Sequence, residues 1–144
     1  MTPLGKAQQI LQQLVDASKG TKVPVPSIRF AQMGGQVVDC ESLIVAVAGT
    51  DSAADFATMP GCNVPQTANF IVTLARDCAV TFEDNGQTNV KEVERVSAET
   101  DRDGEFLWDF AEAYEAYITK TYSLSFINLG GLSIATLSMT LGID

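Results

Sequence analysis

Asn69-Phe70-Ile71-Val72-Thr73-Leu74-Ala75 is the stretch that decides the fold. Phe70, Val72 and Leu74 alternate with Ile71, Thr73 and Ala75, and neither set is charged. A strand that is apolar enough on both faces belongs in the middle of a sheet, covered from both sides. Moving outward toward the C-terminus, Asp84-Asn85-Gly86 reads as a turn. Val90, Val93, Ser97, Thr100, Gly104, Leu107, Ala111, Tyr114 and Ile118 then recur at three and four, which predicts one long helix over 89–119. Its middle is weak, because Ser97, Thr100 and Gly104 are poor core residues and Asp101 or Asp103 can cap a second helix, so a break near 100–104 is the alternative. Tyr122, Leu124 and Phe126 alternate up to a Gly130-Gly131 turn, and Ala135, Leu137, Met139, Leu141 and Ile143 alternate after it. This is a C-terminal hairpin with one buried face.

Toward the N-terminus, Val37 to Ala48 is a second apolar strand. Before it, Gly34-Gly35 turns and Ile28 and Phe30 alternate with polar neighbours, so the pair reads as a hairpin. Pro24 and Pro26 break the chain ahead of it. Thr2 caps a helix over 3–18 with Pro3 in its first turn and Leu4, Ala7, Leu11, Leu14 and Val15 on one stripe. Residues 49–66 have no sustained period and hold Pro60 and Pro65, an unusually long connection for a compact domain.

This order predicts a single α+β domain over 1–144: a mainly antiparallel mixed sheet of about five strands with two helices packed on one face. The expected shared core is Leu11, Leu14, Phe70, Val72, Leu74, Val93, Leu107, Tyr114, Leu124, Leu137 and Met139. The opposite face still holds Ile71, Ala75 and Ile134, and a half-apolar open face or edge invites a partner.

The chain of 144 residues is 46% hydrophobic and 19% charged, which is globular composition and excludes disorder along its whole length. No apolar run approaches the ~20 residues of a membrane span, and the N-terminus does not read as a signal peptide, so a protein made without export is expected. Eighteen acids against nine bases give a formal charge of −9. The surplus lies between Asp77 and Glu115, where twelve acids face Lys91, Arg95 and Arg102. That balance opposes affinity for a phosphate backbone, although DNA can still pass alongside.

Histidine is absent, which removes the commonest general base, the commonest metal ligand and every Ser-His or Cys-His pair. Cys40, Cys62 and Cys78 show no Cys-x-x-Cys spacing. They read as reduced, buried thiols, with a Cys40–Cys78 contact as the alternative. Glu99, Asp101, Asp103 and Gly104 match positions of a calcium loop, but Phe110 stands where a bidentate Glu is needed. A solvated acidic face or helix cap is the better reading. Asp39 and Glu41 share a strand face, and such carboxylates are either solvated, paired with Arg29 or Arg76, or an acid/base couple. Gly34-Gly35 and Gly130-Gly131 lack the Lys of a phosphate loop. Trp108, Phe106, Phe110, Tyr114 and Tyr117 read as a helix packing on a sheet. No cofactor, metal or catalytic group is expected, and an enzyme, a small hydrolase on Asp39, Glu41 or Asp77, is the disfavoured class.

Val38-Asp39-Cys40-Glu41-Ser42-Leu43, Met59-Pro60-Gly61-Cys62-Asn63-Val64-Pro65, Phe70-Ile71-Val72-Thr73-Leu74-Ala75-Arg76-Asp77-Cys78 and the acidic helix containing Asp109 carry a resemblance. With the closing Gly-Gly hairpin, they resemble the tail terminator proteins of long-tailed phages that infect actinobacteria. The likeness covers roughly 36–144, and Asp77-Cys78-Ala79-Val80 departs from it where that family has Arg followed directly by Cys and a proline. The resemblance implies a structural virion protein, assembled in the host cytoplasm. It would form a sixfold ring on the last ring of the tail tube, ending tube growth and offering the surface on which the head docks. Its partners would be further copies of itself, the major tail tube protein and the head-to-tail stopper, with DNA passing through unbound and no membrane involved. Another connector component, stopper or adaptor, or a protein-binding module of no phage origin, are the alternatives. Two faces are needed on such a ring, and they require heterologous contacts. Phe56, Met59 and Val64 in the long loop are candidate anchors on one face, together with Asp39, Glu41 and Arg76; the plainer reading has the loop cover its own subunit's sheet.

Overall fold

The computed structural model describes residues 2–35, 38, 40–52, 66–77, 89–116, 120–129 and 131–143. Helix α1 (Pro3–Thr21) is followed by strands β1 (Arg29–Met33), β2 (Ser42–Ser52) and β3 (Gln66–Asp77). Helix α2 (Val90–Ala113) leads into β4 (Lys120–Leu129) and β5 (Leu132–Ile143). The five strands form one mixed sheet in the order β1-β2-β3-β5-β4. The chain is therefore an α+β fold, and β3 is central, antiparallel to β2 on one side and to β5 on the other.

Local chemistry explains the helix starts. Thr2 Oγ1 accepts the Gly5 N–H at 3.0 Å and Pro3 stands at the first helical position, where its missing N–H costs nothing. Lys22, in the left-handed region at φ 60°, ends α1. Asn89 Oδ1 accepts the Glu92 N–H at 3.3 Å and opens α2.

β1 and β2 are parallel, with Arg29 opposite Leu43 and Met33 opposite Val47, and not the hairpin expected from Gly34-Gly35. Alternation reports which face a side chain takes and carries no information on strand direction. Gly34 bends the chain at φ +84°, and its N–H donates to Val47 O at 2.8 Å. The chain re-enters the sheet beside the start of β1, where Leu43 N–H donates to Ile28 O at 3.0 Å. β2 starts at Ser42 rather than Val37 and runs on to Ser52 through a bulge between Val47 and Gly49. The connection expected over 49–66 is thus strand at both ends, and 53–65 lie outside the described residues.

α2 runs unbroken through 100–104, so Asp101 and Asp103 cap no second helix. It stops at Ala113, short of residue 119, where Tyr114 turns extended at ψ 125°. Lys120 Nζ donates to Glu112 O at 2.8 Å and Tyr114 O at 3.0 Å, capturing carbonyls that a helix end leaves unpaired. Its buried stripe takes in Val96, Asp103, Leu107 and Ala111, and Val93, expected in the core, is exposed.

One buried cluster joins Leu43, Val45 and Val47 of β2, Ala68, Phe70, Val72 and Leu74 of β3, and Ala135, Leu137, Met139 and Leu141 of β5. Register places these on one face of the sheet, and Ala7, Ile10 and Leu14 of α1 and Phe106, Leu107 and Ala111 of α2 belong to the same cluster. On the other face, Ala75, Leu132 and Ile134 form a second buried cluster with Val38 against it. Ala75 and Ile134 are therefore not available to a partner, contrary to expectation. Among the described residues no helix is long and apolar enough to cross a membrane.

Candidate interaction surface

Arg76 shares a face of β3 with Phe70, Val72 and Leu74, so its side chain enters the α2 side of the sheet. There Nε donates to Asp103 Oδ2 at 2.9 Å and Nη2 to Asp103 Oδ1 at 3.2 Å. Nη2 also donates to Pro24 O, and Glu41 Oε1 lies 3.8 Å from Nη1. Asp103 is 1% exposed, so it is neither a solvated acid nor part of a calcium loop. This bidentate pair joins β3 to α2 and to the Pro24 segment. Arg76 and Glu41, two of the expected contact residues, are thus brought together, with Arg76 turned inward. Asp39, Phe56, Met59 and Val64 lie outside the described residues, as do Cys62, Cys78 and the Asp84-Asn85-Gly86 turn.

The weak-looking middle of α2 marks a close approach. A Cβ on Gly104 would meet the Phe126 ring at 2.7 Å, and Thr100 Oγ1 donates to Val96 O at 2.8 Å and hydrogen-bonds Ser133 Oγ. Small residues at three-four spacing are the signal that a strand crosses here. Trp108 sets its ring edge-on to Tyr122 at 4.8 Å and donates to Glu112 Oε1 at 3.0 Å.

The chain matches no known protein family and no curated protein. Function must be read from the surface itself.

Phe126, Ile127 and Leu129 are 53%, 54% and 62% exposed on the outermost strand, β4. An open groove of about 330 Å³ runs beside them, lined by Val96, Ser97, Thr100, Asp101, Phe126, Ile127 and Asn128. Along α2, Arg95 is held by Glu92 and Glu99 at 2.9 Å each, and the hydrogen bond to Glu92 raises its pKa above the ordinary arginine value. Asp101, Glu105 and Asp109 are exposed with no basic partner among the described residues. A second depression between the helices holds Lys6, its ammonium 5.2 Å from the Tyr114 ring. Among the described residues no group of three or more Cys, Asp or Glu is placed to hold a metal. The arrangement offers apolar side chains and strand backbone at a rim with an acidic margin.

Proposed function

We propose that this chain is a structural virion protein of a long-tailed phage, a tail terminator that forms a ring at the head-proximal end of the tail tube. It ends tube growth and provides the surface for head attachment. The sequence resemblance over 36–144 supports this reading, and one structural observation carries it: three large apolar side chains, Phe126, Ile127 and Leu129, stand exposed on an outermost strand, where protein subunits add. The acidic α2 suits a particle through which DNA passes without being held.

The test removes 53–65, joining β2 to β3 by a short Gly-Ser turn, because 49–52 and Gln66 are strand. A terminator docking through this connection gives a folded protein, tubes of uncontrolled length and unjoined heads in electron micrographs. Normal virions from the shortened protein would refute that mode of docking, and normal virions from a phage lacking the gene would refute the role.

A further inference from the structure

Among the described residues nothing pairs with the outer side of β4 or of β1, the two ends of the sheet. Folded monomers usually protect such edges with charge, proline or brevity. β4 has ten residues, no proline, and Lys120 at its start as its single charge. β1 has five residues, with Phe30 and Met33 exposed on it. The strand directions also matter. β2 is parallel to β1, and three antiparallel steps separate β2 from β4, so β1 and β4 run in opposite senses.

The two ends differ in charge. α1 packs on β1 and β2, and residues 2–35 carry four bases, Lys6, Lys19, Lys22 and Arg29, against Asp16 alone. α2 packs on β5 and β4, and residues 89–129 carry nine acids against four bases. Lys22 and Arg29 are exposed at one end without a carboxylate partner among the described residues, as Asp101 and Glu105 are at the other without a base.

We infer that the free edge of β4 pairs with the free β1 edge of a second copy of this chain, head to tail. The sheet then continues from subunit to subunit. The opposite senses of the two strands make this junction an antiparallel ladder, the more stable kind per residue. Phe30 and Met33 meet the apolar end of β4, and the basic end of one copy meets the acidic end of the next. A two-fold β4–β4 junction is disfavoured because it sets two acidic helices side by side. The inference rests on the ring reading above and names its subunit contact, since heterologous junctions repeated with a rotation that closes make a ring.

The experiment uses the full chain with Ile127→Lys and, separately, Phe30→Lys. Both positions are exposed, and circular dichroism with thermal melting checks that each variant folds. Light scattering and native mass spectrometry then give subunit number. Wild type is expected to form closed oligomers larger than a dimer, and each variant to associate at least tenfold more weakly. An equimolar mixture should give one-to-one heterodimers, because the intact β4 of one variant still meets the intact β1 of the other. A monomeric wild type, oligomers indifferent to both changes, or Phe30→Lys dimerising alone through β4 would each overturn the contact. Monomers that still terminate tail tubes would remove this contact and leave the role, whereas rings that fail to terminate tubes would remove the role and leave the contact.

Discussion

At the residue scale, Arg76 and Asp103 are the two charged side chains buried among the described residues. Two charges in a dry site are tolerated only while each satisfies the other. Asp103→Ala strands a buried guanidinium that retains only the Pro24 carbonyl and a distant Glu41. It should lower unfolding free energy by about 3–5 kcal/mol in urea denaturation. Arg76→Met combined with Asp103→Leu should recover most of that loss, because no buried charge remains unpaired and the two groups that lose a partner, Arg102 and Glu41, reach solvent. A double change as costly as the single one would mean that the pair is worth more than packing. Their pairing does not announce itself in sequence: Asp103 reads as a helix cap or a solvated acid of an acidic helix, and only the approach of β3 sets it against Arg76.

At the element scale, β3 carries the core. Leu74 is opposed by Leu43 on one neighbour and Ala135 on the other, with both helices contributing to the cluster it joins. Leu74→Ala should cost about 2–5 kcal/mol from lost transfer energy and the cavity left behind. Chemical denaturation measures it, and a nearly neutral result would remove β3 from the centre. The two-residue period of β3 and of the C-terminal hairpin was readable because each has a consistent buried face. The continuity of α2 was not, since Ser97, Thr100 and Gly104 look like a break until Phe126 and Ser133 are found against them.

At the scale of the whole molecule, the formal charge of −9 hides a polarity: a basic end at α1 and β1, an acidic end at α2 and β4. Attraction between unlike ends is screened by salt, with a Debye length of about 10 Å at 0.1 M and about 3 Å at 1 M. Sedimentation of the wild type should therefore show association weakening as sodium chloride rises from about 0.1 to about 1 M. Association that strengthens with salt would indicate that apolar burial outweighs charge at the junction.

Composition and periodicity by themselves determined the α+β class, the central strand, the C-terminal hairpin, the capped first helix and the lack of any histidine chemistry, because all of these are local or additive properties of the chain. Tertiary structure alone decided that β1 lies parallel to β2, since strand direction depends on where the chain returns and not on which side chains alternate. It decided that Ala75 and Ile134 are buried, that Arg76 turns inward onto Asp103, and that Phe126, Ile127 and Leu129 stand at an open edge. Each of these depends on which element becomes a neighbour, and partners such as Arg76 and Asp103, 27 residues apart, leave no periodic trace in the sequence.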